Sequence, residues 1–328
     1  MEVFSNIHQD TFERIGQGFC GTVWATTRGG STCIKREDGG PGRSLNNEYQ
    51  VQTLINAWMA DGTLAGGPSV PSCHHLLEKD DPAWHTSRIL DRFPEGYEPC
   101  NAMISEKIQP IAEQGRRELI YRYCPPEIQQ QILDDRKNQH CLVRPYLGRR
   151  RRHAQSNSRC RFFSLRNYSL HMDQVEELSL PFFEYARFMA RALALLNWEL
   201  RIDGNDVEFV LAAPRPGQHL GWESTHIGRH AMWMLDFDCC RPVMESDEGV
   251  EQIVRAFWRN DPYCPRPGEM GVDEHLWEAF AEEYRQVGLE VARSRGAADV
   301  EEGQKLERLV NRVLERIPET KGVYVKGY

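Results

Sequence analysis

The sequence predicts a mixed α+β chain in two lobes. A small β-rich N-terminal lobe spans residues 1–111, with an irregular insert, and a larger, mainly helical C-terminal lobe spans 112–328. Three observations predict this. Short β-branched and aromatic runs joined by Gly-rich turns fill the first sixty residues, a nearly continuous apolar helical pattern occupies 180–200, and three further helical patterns close the chain. At 328 residues, with 40% hydrophobic and 27% charged content, the chain can bury a sizeable core.

In order, Thr22–Thr27 and Ser31–Arg36 read as strands, and the turn G-G-P-G at 39–42 leads into a helix over Leu45–Met59. Residues 61–101 carry Pro68, Pro71, Pro82, Pro94 and Pro99 and read as a long irregular connection; Ala102–Ile111 reads as a strand. The Pro125-Pro126 pair opens a helix over Glu127–Asn138. Cys141–Leu147 and Arg161–Arg166 read as strands flanking an arginine-rich loop. The helix Leu180–Leu200 is apolar around much of its wall, as suits a buried central helix. Strands over Val207–Leu211 and Met232–Leu235 follow, then helices around Gly249–Arg259, Asp273–Val287 and Val300–Ile317.

Bulk composition narrows the function classes. No apolar stretch approaches the ~18 residues of a membrane span. The N-terminus, M-E-V-F-S-N-I-H-Q-D, is acidic and polar, unlike a secretory or transit signal, so a cytoplasmic location is expected. The ten cysteines form no C-x-x-C, and Cys73-His74-His75 lacks a second ligand pair, so neither a structural zinc nor any other metal or cofactor is expected. Net charge is −8, yet residues 144–161 hold seven arginines and no acid. One concentrated basic segment on an acidic protein fits a local phosphate-binding surface.

The acids are equally uneven. Asp203, Asp206, Glu208, Asp236 and Asp238 fall in two short, otherwise apolar stretches, 198–211 and 233–241. A carboxylate at the end of a buried strand is costly unless it meets a cation, a metal or a substrate. The cluster therefore predicts an acidic pocket for a positive group. Asp206 and Glu208 share a face by the two-residue strand period.

The N-terminal run Gly16-Gln17-Gly18-Phe19-Cys20-Gly21-Thr22-Val23, with Lys35 and Glu48 after it, resembles the small lobe of protein kinases, in which a Lys–Glu pair and backbone amides hold ATP phosphates. The resemblance implies a protein-kinase-like two-lobed fold, with Asp236 at the metal-binding aspartate. There are departures. No H-R-D occurs, Leu200 or Arg201 stands where the catalytic aspartate is expected, and Asp238 replaces the glycine of D-F-G.

The segments A-L-A-L-L-N-W-E-L-R-I-D-G-N-D-V-E-F-V-L, W-M-L-D-F-D-C-C-R and F-W-R-N-D-P-Y-C-P-R-P-G resemble a fungal family that carries a zinc-finger label and includes arginine-containing cyclodipeptide synthases. The resemblance spans about Arg144 to Trp277. It implies condensation of arginyl-tRNA and a second aminoacyl-tRNA into cyclo(Arg-Xaa), with no ATP, because both esters are already activated. Asp203, Asp206 and Glu208 are then the expected catalytic acids, with one raised carboxylate deprotonating the α-amine. Asp236, Asp238, Tyr263 and Arg266 are the expected substrate contacts. Lys35, Arg149, Arg150, Arg151, Arg152, Arg159 and Arg161 are the expected tRNA contacts. No covalent nucleophile stands out among Cys239, Cys240 and Ser179, and nothing in the sequence names the second amino acid. A kinase-like phosphotransferase and a non-catalytic pseudokinase-like binding module are the competing expectations.

Overall fold

In the computed structural model, residues 10–27, 29–60, 69–151, 162–217 and 221–324 are described. The fold is α+β, as expected. Its first sheet is antiparallel and built from β1 (Phe12–Gln17), β2 (Thr22–Thr26), β3 (Thr32–Arg36), β4 (Cys73–Leu77) and β5 (Ala102–Glu106), in the order β1-β2-β3-β5-β4. Between β3 and β4 runs α1 (Leu45–Ala60), which buries Leu45, Glu48, Gln52 and Ile55. Strand alternation sorts the faces of β3. Ile34 joins a core of Phe12, Trp24, Leu77, Trp84 and Phe93, leaving Lys35 to face the other way. Arg36 shares the Ile34 side, with its guanidinium 4.6 Å from the Phe93 ring and 5.4 Å from that of Trp84.

Glycine is required at two places around the first hairpin. A Cβ on Gly21 would lie 2.0 Å from the Arg36 carbonyl oxygen, and one on Gly39 would lie 2.3 Å from that of Phe19. These close passages let Gly39 N–H and Gly40 N–H donate to the Cys20 and Phe19 carbonyls at 3.0 and 2.8 Å, pinning the hairpin tip.

The segment 61–101 is more regular than its prolines suggest. Beyond residues 61–68, which lie outside the described set, it contains β4, the short helix α2 (Ala83–Thr86) and a 3-10 turn at Leu90–Arg92. The strand signal in C-H-H-L-L is weak because two polar histidines interrupt it, and β5 supplies the pairing that makes it a strand. The β5 strand ends at Glu106, short of the expected Ile111, because Pro110 and the turn before α3 (Glu113–Tyr123) intervene. The helix α3 has no counterpart among the sequence expectations. It buries only Gly115, Leu119 and Ile120, too narrow a stripe to stand out. The expected helix over 127–138 is instead a 3-10 turn at Pro126–Ile128, α4 (Gln129–Asp134) and a second 3-10 stretch at Arg136–His140.

The second sheet holds β6 (Val143–Tyr146), β7 (Tyr168–His171), β8 (Glu208–Ala212) and β9 (Ala231–Leu235), ordered β7-β6-β8-β9. The strand expected over 161–166 is displaced to β7, which pairs parallel with β6, and residues 162–166 are irregular. A short helix, α5 (Met172–Glu177), follows directly. Then α6 (Phe182–Trp198) buries Tyr185, Met189, Leu193, Leu196 and Trp198 at the centre of the large core. The chain closes with α7 (Asp247–Arg259), α8 (Val272–Gly296) and α9 (Val300–Glu319). Ser246 caps α7, and Asp299 caps α9 by accepting from Glu301 N–H and Glu302 N–H. Packing of α8 against both α6 and α9 carries it well beyond the expected Val287.

Several contacts join the sheets across the cleft. Ser69 bridges to Trp233, its N–H donating to Met232 O at 3.0 Å and its carbonyl accepting from Met234 N–H at 2.8 Å. The Asn47 amide of α1 donates to the carbonyls of Phe237, Asp238 and Cys240 at 3.3, 2.9 and 3.0 Å. Among the described residues, no helix is long and apolar enough to cross a membrane.

Candidate functional site

A cavity of about 460 Å³ lies between the two sheets. Its roof is the Gly16–Gly21 hairpin, one wall carries Lys35 and Glu48, and the floor presents Arg144, Asp206, Glu208 and Asp236. Floor geometry follows from one strand pair. In the β8–β9 ladder Glu208 stands opposite Leu235, so Asp206 just before β8 and Asp236 just after β9 come to the same end. Both aspartates hold left-handed backbone, φ +65° and +69°, which suits a short polar side chain leaving a strand at a sharp turn.

Each acid meets a cation of the chain itself. Lys35 Nζ lies 2.6 Å from Glu48 Oε2 and 2.7 Å from Asp236 Oδ1. Arg144 Nη2 grips Glu208 at 2.6 Å to Oε1 and 2.7 Å to Oε2. Arg43 Nη1 lies 2.7 Å from Asp206 Oδ2 and 2.9 Å from Asp238 Oδ1, and 2.8 Å from Cys239 Sγ. The acidic pocket expected from sequence is thus an ionic lattice of alternating sign.

Burial decides how these groups titrate. It raises Glu208 from the usual carboxylate range to about 7 despite the Arg144 charge, and it raises Glu48 to about 7 against the pull of Lys35. Asp236 behaves oppositely: burial works against its charge, but Lys35 outweighs burial and holds it low. Burial also opposes the Lys35 charge, yet Asp236 and Glu48 keep its pKa well above the ordinary value. Asp238 is raised by burial and by the neighbouring Asp236 charge.

Four expected residues meet here: Lys35, Asp206, Glu208 and Asp236 all line the cavity. Asp238 sits behind them, reaching the cavity through Arg43. Asp203 does not join them. One of its oxygens accepts from Asn205 N–H and Arg241 N–H, both at 3.0 Å, and the other from the Gln252 amide at 2.9 Å, so it pins a turn. Tyr263 and Arg266 are also displaced from the cavity. The Arg266 guanidinium lies 4.7 and 4.9 Å from the Phe257 and Trp258 rings and donates to the carbonyls of Phe257 and Asn260. Tyr263 packs its buried ring against Tyr146 and Phe209, and its carbonyl accepts from Leu147 N–H.

Of the arginine run, Arg150 pairs with Glu176 and Asp273, and Arg151 with Asp173 and Glu177, all between 2.5 and 2.8 Å. Arg149 follows Gly148 at the end of β6, where its carbonyl accepts from Met172 N–H. Arg152, Arg159 and Arg161 lie outside the described residues. The cysteines are poor nucleophiles: burial and the Asp238 charge push Cys239 up to about 11, and burial holds Cys240 well above the ordinary thiol value. Ser179 is exposed on the turn after α5, and it is not among the cavity-lining residues.

Sequence reasoning missed Arg43 and Arg144. A lone arginine inside the apolar run C-L-V-R-P-Y-L was a usable signal for Arg144, since a buried guanidinium needs a carboxylate. Arg43, in a Gly-Pro-Gly turn, carried none.

A family model described as "Zinc finger protein" matches residues 232–296, about a fifth of the chain. No curated protein and no solved structure shows significant similarity to the chain. The expected membership of a cyclodipeptide synthase family is corrected by this result. The matching description shares only the zinc-finger label and names no synthase, so the chain is not assigned to such a family. Nor do the residues fit a zinc finger. Among the described residues the group able to hold a metal ion is Asp206, Asp238 and Cys239, not paired Cys and His, and Arg43 already bonds all three.

Proposed function

We propose that this cavity transfers aminoacyl groups between activated esters. In this reading arginyl-tRNA and a second aminoacyl-tRNA are closed into cyclo(Arg-Xaa). The observation that carries it is Glu208, a cavity carboxyl raised to about 7 and held in place by Arg144. A base with that pKa is matched to removing an ammonium proton near neutrality.

The steps balance without ATP. Glu208 takes a proton from the α-ammonium of one aminoacyl ester. The freed amine attacks the carbonyl carbon of the second ester, a C–N bond forms, and the ester C–O bond breaks. The ammonium gives up two protons in all as the amide forms: Glu208 passes one to the departing ribose oxygen and the other to solvent. A second attack, by the remaining amine on the first ester, closes the ring and releases the other tRNA. Asp206 and Asp238, the two carboxylates that hold the Arg43 guanidinium, are the partners for the arginine side chain. Lys35, beneath the hairpin, faces the phosphate-bearing end.

A second reading, magnesium-dependent phosphotransfer, is favoured by the Lys35–Glu48–Asp236 arrangement under a Gly-rich hairpin. Against it stands Arg43, whose guanidinium lies between Asp206 and Asp238, two members of the group able to hold a metal ion, while Lys35 occupies Asp236. The test is incubation of purified protein with arginyl-tRNA and a mixed aminoacyl-tRNA pool, analysed by mass spectrometry. An RNase-sensitive arginine diketopiperazine supports the proposal. Magnesium-dependent ATP turnover without such a product replaces it with the second reading.

A further inference from the structure

We infer that Arg43 is an internal plug: the chain's own guanidinium fills the subsite that receives the substrate's guanidinium, and a cationic substrate enters by displacing it. This rests on the aminoacyl-transfer reading for the identity of the substrate, though not for the existence of the plug.

Four features of the contact argue for it. Arg43 belongs to the Gly39–Ser44 connection, outside any helix or strand, and Gly42 beside it holds φ +84°. Its guanidinium reaches across the cleft to three side chains of the other lobe, Asp206, Asp238 and Cys239, all through Nη1. The Phe19 ring at the hairpin tip, 62% exposed, lies over the guanidinium at 5.3 Å. Two carboxylates below and an aromatic face above form a recognition set for a guanidinium rather than for a compact ammonium.

The fourth feature is the cost of leaving the subsite empty. The Asp238 side chain is 0% exposed and meets Arg43 as its cation. An unpaired buried carboxylate is strongly unfavourable, so the plug leaves only when a cation of like geometry replaces it. Exchange of one guanidinium for another conserves the bidentate possibilities and the stacking surface. It also couples binding to movement of the 39–44 connection, which is hydrogen-bonded to the hairpin tip at Cys20 and Phe19.

The test is binding of agmatine, a guanidinium probe with no ester, measured by calorimetry on the full chain. An internal competitor lowers apparent affinity by the fraction of time the subsite is open, so Arg43→Ala is expected to bind agmatine about tenfold tighter or more than wild type. Adding Asp206→Asn to Arg43→Ala is expected to remove the gain. Equal affinity in wild type and Arg43→Ala overturns the plug, as does a gain for magnesium in place of agmatine. Should Arg43→Ala fail to fold, hydrogen exchange on the wild type decides. Saturating agmatine must accelerate exchange in peptides covering 37–48, and unchanged exchange overturns the inference. Agmatine binding needs no product, so a clean plug result beside absent diketopiperazine would sink the aminoacyl-transfer reading and leave the plug standing.

Discussion

Lys35 is held by two carboxylates from different parts of the chain, Glu48 on α1 and Asp236 after β9, at 2.6 and 2.7 Å. Removing it strands both. Lys35→Met is therefore expected to lower unfolding free energy by about 3 kcal/mol, the cost of breaking a buried pair from one side, read from urea midpoints. The pH dependence has a definite sign. Glu48 and Glu208 titrate near 7 in the fold because burial raises them above the ordinary carboxylate value of 4.5. Between those values the folded chain holds protons that the unfolded chain has released, so stability is expected to fall as pH rises from 4.5 to 7. Glu48→Gln should flatten that slope, and urea titrations at pH 5 and pH 8 measure it. Glu208→Gln is expected to cut product formation ~100-fold or more, the scale of a missing general base. The wild-type rate should climb with pH through about 7 as Glu208 ionises.

These residues were legible to different degrees. Asp206, Glu208 and Asp236 stood out as charges beside strand-like apolar runs and Lys35 through its spacing from the Gly-rich hairpin and Glu48, and the fold gathers them in one cavity. Asp203 gave the same signal as those acids, yet its oxygens pin a turn. Tyr263 and Arg266 stood out as an aromatic and a cation on a rigid Pro-rich stretch, yet Tyr263 packs its ring in the core and Arg266 bonds backbone carbonyls, which local pattern does not distinguish from ligand contact. Arg43 and Arg144 gained their roles from contacts 163 and 64 positions away, Arg43 with Asp206 and Arg144 with Glu208, beyond the reach of any local spacing rule.

Among the elements, the roof hairpin gives the sharpest contrast. A methyl on Gly21 collides with the Arg36 carbonyl, whereas one on Gly18 meets nothing within 4 Å. Gly21→Ala is expected to destabilise by ~1–3 kcal/mol through forced backbone shift and to weaken ligand binding. Gly18→Ala should leave the thermal midpoint close to wild type. Equal effects from the two would place the strain elsewhere. Long elements with a broad apolar face, α1, α6, α7 and α9, were readable from period alone, and their observed spans lie within a few residues of expectation. The failures included β1, β4, α2, α3, β7 and α5, segments formed because neighbours complete their hydrogen bonds or bury a narrow stripe.

At the scale of the whole molecule, the net charge is −8, and Arg150 and Arg151 of the basic run, where β6 ends, are matched by acids. Arg150 and Arg151 are each about 40% exposed and paired with surface acids. Such exposed pairs contribute little to stability. Arg150→Ala with Arg151→Ala is expected to weaken tRNA binding and lower the salt slope by ~0.7–0.9 for each phosphate that is no longer neutralised. An unchanged slope in filter-binding titrations would return both arginines to a purely structural role.

The most direct measurement is mass spectrometry of a reaction containing purified protein, arginyl-tRNA labelled in the arginine, and a second aminoacyl-tRNA, run beside Glu208→Gln. The account expects a labelled cyclo(Arg-Xaa) from the wild type, abolished by RNase and absent from the folded variant. Undiminished product from Glu208→Gln would contradict the assignment of the base, and no product from folded wild type would contradict aminoacyl transfer itself.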